Sequence, residues 1–310
     1  MIAVFGAFDG FHRGHMLLFE RAKELALPQN QEWGAITFEP HPGLYTGSIK
    51  GTLFTLNERK LIQRFLKVPR IISLKFNEEL AHLSPLLFWN FLRERIEVEG
   101  VLVGTDFRFG YRRTGDVTLL ERFCREGNIP FLSMDLLEHL GTKISSSLIR
   151  AHVEAGDCGS AIKNLGYPYF IWARVAHGLE RGRTLGFPTA NLDVPHTKLF
   201  PSAGVYAVAV FVDGQWKAGA LSIGENPTFE DVLGLRAEVF ILDYEGNLYD
   251  KNLLVFFLYR LRSQVRFDNV EQLTLQIGAD VERARSVFKH SFDSYPHWYT
   301  GFQAGLSEIE

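Results

Sequence analysis

The hydrophobic pattern changes its period partway along the chain, and this change limits the fold more than any other feature. In the first half, strand-like and helix-like pieces alternate. Ile2–Phe5 is a short apolar run ending at Gly6 and reads as a buried strand. Met16–Leu27 carries Leu18, Ala22, Leu25 and Ala26 at helical spacing, and Pro28 follows as a stop. Gly34–Phe38 reads as a strand, Leu56–Phe65 as a helix, Ile71–Leu74 as a strand, Pro85–Ile96 as a helix and Val101–Val103 as a strand. Such alternation predicts parallel β-α units in an open α/β sheet, with ligands at the carboxyl ends of the strands. The second half lacks it. Val205–Val212, Glu238–Leu242 and Leu253–Leu258 are strand-like, with turn signals at Asp213-Gly214 and Glu245-Gly246-Asn247 and no helical pattern between them. An antiparallel barrel or sandwich is expected there, closed by a helix over Val270–Phe288. Ile149–Leu165 reads as a connecting helix, or a pair of turns, broken at Gly156. The expected domains are therefore residues 1–165 and 166–310.

Composition narrows the function classes. A length of 310 residues suits two domains. With 46% hydrophobic and 22% charged residues, the chain is neither disordered nor a disulfide scaffold. A net charge of −3 does not advertise a nucleic-acid or anionic-membrane partner. Cys124 and Cys158 are too few for a disulfide framework or a multi-cysteine zinc site. The longest apolar runs fall far short of the roughly 20 residues of a spanning helix. The opening Met-Ile-Ala-Val-Phe-Gly has no basic leader or cleavage pattern, so cytoplasmic residence is the expectation.

Residues 6–15 read GAFDGFHRGH. A strand ends, glycines allow a tight turn, and His12 and His15 stand at the mouth of a helix, on one face of its first turn. A helix N-terminus suits phosphate, and two imidazoles there would donate hydrogen bonds to its oxygens. Gly14 lets the backbone approach closely. The residues alone also allow a pair of surface histidines or a partial metal site, although no third ligand is nearby.

Residues 182–191 read GRTLGFPTAN, preceded by Gly178. Gly182, Gly186 and Pro188 force an irregular loop whose N–H groups can face phosphates, and Thr189 and Asn191 offer hard oxygen donors for Mg²⁺. The GK[ST] ending of a Walker A loop is absent. A plain Gly-Pro turn between strands remains open on composition.

Four stretches occur in a telling order: GAFDGFHRGH, TFEPHP at Thr37–Pro42, GTDFRFG at Gly104–Gly110 and KISSSLIR at Lys143–Arg150. Together they resemble the flavin-adenylating nucleotidyltransferases of the wider HxGH group. GRTLGFPTAN, followed by Gly204-Val205-Tyr206, SIGENPTF at Ser222–Phe229 and AEVFILDY at Ala237–Tyr244, resembles riboflavin kinase. The whole chain thus resembles the bifunctional prokaryotic riboflavin kinase/FAD synthetase family. That resemblance implies a Rossmann-like α/β domain followed by a six-stranded antiparallel barrel. It implies ATP-dependent phosphorylation of riboflavin to FMN, then adenylylation of FMN to FAD with release of pyrophosphate.

The implied site residues follow from the same resemblance. In the kinase half, Glu238 would activate the ribityl 5′-hydroxyl, Gly182 and Arg183 would cradle phosphates beside Pro188 and Thr189, and Thr189 and Asn191 would hold Mg²⁺. In the adenylyltransferase half, His12 and His15 would stabilise phosphate charge, with Gly6, Phe8, Asp9 and Gly14 lining the nucleotide pocket. Ser145, Ser146 and Arg150 would contact ATP phosphates. Asp106 and Arg262 would serve the flavin. Taken singly, Glu238 reads as a solvated strand-edge charge, Arg150 as a helix-surface charge, and Phe107 and Phe109 as core.

The chain departs from the family pattern at a few positions. Ser147 replaces a Thr, Met16 a Gln, Ala173 a Gly, and Asp250 the Gly of LYG. In LRSQVRF, Leu261–Phe267, Gln264 replaces an acid and Arg266 a Lys. Two alternatives therefore stay open at this point: a chain with only the adenylyltransferase active, or a flavin- or nucleotide-binding regulator without turnover.

Overall fold

The computed structural model describes residues 1–135, 137–139, 142–176, 186–225 and 235–309. The chain forms two compact units. The first comprises Met1–Thr52 and Ile62–Ser146, the second Leu53–Leu61 and Ser147–Glu310.

Up to residue 146 the elements are β1 (Ile2–Phe5), α1 (Arg13–Ala26), β2 (Trp33–Glu39), α2 (Pro42–Tyr45), α3 (Leu56–Phe65), β3 (Ile71–Lys75), α4 (Glu78–Ala81), α5 (Pro85–Arg93), β4 (Gly100–Gly104), α6 (Val117–Glu126) and β5 (Phe131–Met134), then a small hairpin, β6 (Glu138–His139) and β7 (Thr142–Lys143). The five main strands form a parallel sheet in the order β3-β2-β1-β4-β5. Helix α1 packs beside β1, β2 and β4 and buries Leu18, Phe19 and Ala22. A core of Ala3, Phe5, Ile36, Phe88, Trp89, Val103 and Phe123 joins the sheet to α5 and α6. Covered strands explain why β1 and β4 are apolar at every position. The alternation read from sequence is present. Helix α1, however, starts at Arg13 rather than Met16, because His12 is its extended N-cap residue.

The second unit continues with α7 (Ser146–Ala155), which begins at the last residue of the first unit, and α8 (Cys158–Leu165), separated at Gly156. Gly156 has φ +73°, and a Cβ there would lie 2.6 Å from the Tyr206 hydroxyl, so only glycine fits the break. Then come β8 (Phe170–Ala176), β9 (Thr189–Asp193), β10 (Gly204–Val212), β11 (Gln215–Glu225), β12 (Leu235–Ile241), β13 (Asn252–Arg262), α9 (Val270–Ser294) and α10 (Pro296–Ser307). The six strands close into an antiparallel barrel in the order β10-β11-β12-β9-β8-β13. Asp213 and Gly214, both at positive φ, make the two-residue turn between β10 and β11. Helix α9 lies against β10, β11 and β13, with Ala284 on Val205, Ala207 and Leu261. Helix α10 buries Trp298, Tyr299, Phe302 and Leu306. Rings of Phe170, Phe256, Trp216, Tyr299 and Phe302 pack together, which accounts for part of the high phenylalanine content.

Candidate functional site

Strand order reverses between β1 and β4, and a crevice at such a point in a parallel sheet receives ligands. Two loops leave the carboxyl ends there. The loop after β1 is tightly wound. Phe8 and Phe11 sit at φ 44° and 40°, which is costly for bulky residues, and both rings are buried and stacked at 5.8 Å. Gly6 makes this possible, since a Cβ there would approach the Phe8 ring to 2.7 Å. Thr37 ties the loop down by donating to the Ala7 carbonyl at 2.9 Å, and Asp9 is buried in it.

The loop delivers His12 as the N-cap of α1 and His15 one turn in. Their rings stack at 3.6 Å between centroids, and Phe8 meets the His15 ring edge-on at 4.9 Å. His12 Nδ1 and His15 Nδ1 are both buried without a hydrogen-bond partner. Unpaired polar atoms of this kind are costly unless something completes them. Burial lowers the pKa of His12 to about 4, against an opposing pull from Asp106, and burial followed by the neighbouring His12 lowers that of His15. Both rings are therefore neutral at pH 7. With its proton on Nδ1, each offers an N–H at the positive end of a helix. Gly14 permits this arrangement: a Cβ there would lie 3.2 Å from His12 Nδ1.

Asp106 follows β4 and is exposed, and Lys143 at the end of β7 donates to its carboxylate at 2.5 Å. Nothing in local spacing joins two residues 37 apart, so Lys143 carries no sequence signal as the partner of Asp106. Phe107 and Phe109 pack into the core of the first unit, with Phe109 buried. Ser145 and Ser146 lie at the start of α7 in the first unit, and Arg150, in the second unit, is further along the same helix with its Nη1 3.5 Å from Ser147 Oγ.

In the second unit, Gly178, Gly182 and Arg183 lie outside the described residues, as does part of SIGENPTF. Thr189 and Asn191 are on β9, and their side chains alternate with buried Ala190 and Leu192. Glu238 sits in the middle of β12 rather than at its opening, since β12 begins three residues before it, at Leu235. Pairing sets Glu238 opposite Asn191 on one side and Ser222 on the other. Thr189 Oγ1 is 3.4 Å from Glu238 Oε2. Gln264 extends the row by donating to Ser222 Oγ and the Ile223 carbonyl, both at 2.9 Å. The result is a polar strip, Thr189, Asn191, Glu238, Ser222 and Gln264, on the face opposite Ala190, Leu192, Ala237 and Val239. A hydroxyl, an amide oxygen and a carboxylate side by side are hard donors that fit Mg²⁺ when phosphates supply most of the charge. No cluster of three His, Cys, Asp or Glu suited to a metal occurs among the described residues.

Beside the strip is a cavity of about 530 Å³, whose walls include Val175, Pro188, Thr189, Ile241, Tyr244 and Leu248. This volume suits a nucleotide-sized ligand. Exposed Pro188 and partly buried Thr189 form its edge. Arg262 is engaged elsewhere: its Nε and Nη2 contact Asp280 of α9 at 2.9 and 2.8 Å.

A riboflavin kinase family model matches residues 165–288, and an FAD synthetase family model matches residues 1–148. The chain is 33% identical to the bifunctional riboflavin kinase/FMN adenylyltransferase of Listeria monocytogenes, over 93% of this chain and 92% of that protein. It is 34% identical to the enzyme of the same description from Pseudomonas fluorescens, over 92% of each. A crystal structure described as a macrolide-efflux protein from Streptococcus pneumoniae shares the fold, with a TM-score of 0.83 and 30% identity over 92% of this chain and 93% of that one. Efflux is the description of that protein. Among the described residues here, no helix is long and apolar enough to cross a membrane.

Proposed function

The chain belongs to the bifunctional riboflavin kinase/FMN adenylyltransferase family, and we propose that its two reactions are divided between residues 1–165 and 166–310. It phosphorylates riboflavin to FMN and adenylylates FMN to FAD, with ATP as the second substrate of each step.

For adenylyl transfer, the FMN phosphate attacks the α-phosphorus of ATP and pyrophosphate leaves. The observation that carries our assignment is the pair of unpartnered Nδ1 atoms of His12 and His15. Donors already fixed at a helix N-terminus can meet phosphate oxygens as charge builds, with little reorganisation. In this reading Gly6, Phe8, Asp9 and Gly14 shape the nucleotide side, Ser145 and Ser146 hold phosphates, and Asp106, steered by Lys143, orients the flavin.

For the kinase step, Glu238 accepts the proton of the 5′-hydroxyl as it attacks the γ-phosphorus. The Glu238–Thr189 contact and the adjoining cavity support this. ATP occupies the cavity, with Pro188 and Thr189 at its edge and Gly182 and Arg183 serving its phosphates. Thr189 and Asn191 would hold Mg²⁺, which would supply neutralisation of the phosphate charge. Arg262 acts on the flavin side indirectly, by pinning α9 through Asp280. Gln264 keeps the strip connected through Ser222, so its lost charge is compatible with turnover. No nucleic-acid or membrane partner is invoked. Free, buried Cys124 and Cys158 thiols fit a cytoplasmic enzyme.

The test is a product assay from riboflavin, and separately from FMN, with ATP and Mg²⁺. Glu238→Gln is expected to slow FMN formation by about 10²-fold or more and to leave FMN-to-FAD conversion intact. His12→Asn is expected to do the reverse, at about 10²-fold. Loss of both activities in either variant would overturn the division.

A further inference from the structure

The cavity beside the polar strip owes one wall to the loop between β12 and β13, from Tyr244 to Tyr249. A loop has no ladder of its own to hold it, so its shape depends on what anchors it. Tyr244 is the pivot. Its hydroxyl donates to Asp213 Oδ2 at 2.7 Å. The backbone of Gly246 folds over its ring, and a Cβ at Gly246 would lie 2.6 Å from the Tyr244 hydroxyl. Asp213 stands in the tight turn between β10 and β11, with φ 47°. Lys251 grips the same carboxylate at 2.6 and 2.9 Å. Through its backbone, Lys251 also accepts from Val175 N at 2.9 Å, and Val175 is a second cavity wall. Hydrogen bonds from Lys251 and Tyr244 hold the Asp213 carboxyl below the usual carboxylate range, so it is ionised throughout the working pH range.

We propose that Asp213 is a positioning residue for the nucleotide of the kinase half: with Lys251 it fixes Tyr244, and through Tyr244 the cavity wall, in the shape that accepts ATP. The inference rests on assigning the cavity to ATP. The Asp213 and Lys251 side chains are 52% and 39% exposed. An exposed pair adds little to global stability. Its value lies in holding a wall that otherwise samples several shapes, each unproductive one weakening apparent affinity.

The experiment is riboflavin phosphorylation by the full chain and its variants, with both substrates varied. Asp213→Asn keeps a residue that tolerates the left-handed turn, and Lys251→Met removes the cation independently. Each is expected to raise the KM for ATP about two- to fivefold, with kcat, the KM for riboflavin and the melting temperature unchanged. The double variant should be no worse than either single one, since the two act as a unit. Conversion of FMN to FAD should not change. An unaltered KM for ATP in Asp213→Asn would overturn the proposal. So would a lowered melting temperature with both KM values raised together, because that is a general folding defect. Leu248→Trp, which fills the cavity, separates the two layers of argument. Abolished phosphorylation in Leu248→Trp alongside silent Asp213 variants sinks the positioning role alone. Normal kinetics in Leu248→Trp sinks the ATP assignment and the positioning role with it.

Discussion

His12 and His15 are kept neutral by their burial, and this has a consequence for acid stability. The folded pKa of His12 is about 4, below the 6.5 of an unperturbed histidine. Above pH 6.5 the ring is neutral in folded and unfolded chains alike, and nothing depends on pH. As pH falls from 6.5 towards 4, the unfolded chain takes up the proton and the folded chain does not, so stability is lost across that window. The loss attributable to His12 is roughly 3 kcal/mol by pH 4. Urea unfolding at pH 7 and pH 5 should show the decline, and His12→Asn should show less of it. An unchanged slope in that variant would place the acid-labile group elsewhere. Bound ATP phosphates favour protonated imidazoles and raise the folded pKa towards 6.5, so saturating ATP should shrink the decline and end it at a higher pH. The histidine pair was legible in the sequence because a strand, two glycines and a helix start fix where both rings go. Lys143 beside Asp106, and Ser222 beside Gln264, were not legible, because only the fold brings those partners together.

At the scale of elements, Gly14 shows function opposing helix stability. It lies in the first turn of α1, where alanine would be preferred by up to about 1 kcal/mol. A Cβ there presses on His12 at 3.2 Å. Gly14→Ala is therefore expected to melt no lower than the parent while losing about tenfold or more in FAD formation from FMN, because the His12 ring is displaced. Paired melting and turnover measurements check this; a variant with full adenylylation would show that His12 can shift without cost. Legibility followed residue type here too. Strands rich in Val, Leu and Phe, such as β10 and β13, are plain in the sequence. Strand β11, with its Gly-Ala-rich middle, did not, since its backbone is held by β10 and β12 on both sides rather than by propensity. Gly186 and Pro188 ahead of strand β9 give it the look of a loop, yet Leu192 and Ala190 already alternate with polar neighbours. Helix α10 carries Trp298, Phe302 and Leu306 at four-residue spacing, a signal overshadowed by the longer pattern of α9.

For the whole molecule, sequence order and spatial units do not coincide. A boundary read near residue 165 assigns everything before it to the first domain, yet Leu53–Leu61 belongs to the unit that contains the barrel. The reason is a buried ion pair. Lys198, fully enclosed, donates from Nζ to Glu58 Oε2 at 2.8 Å, the Leu53 carbonyl at 2.7 Å and the Phe170 carbonyl at 2.8 Å. The rings of Phe54 and Tyr169 flank the ammonium at 4.4 Å each. Glu58 Oε1 accepts from Trp172 N on β8, so the pair reaches the barrel backbone. No periodicity links residues 140 apart, which is why the sequence could not reveal it. Removing one partner leaves the other charge buried and alone, at about 3–5 kcal/mol. Lys198→Met in the full chain is thus expected to lower the unfolding temperature of the second unit and take riboflavin phosphorylation with it. FAD formation from FMN, carried by the first unit, should survive to a higher temperature. Glu58→Gln with Lys198→Met removes both charges at once and should recover part of the loss, because neither orphan remains. If Lys198→Met melts like the parent, the enclosed pair contributes nothing to holding Leu53–Leu61 in the second unit, and the aromatic contacts of Phe54 hold the segment by themselves.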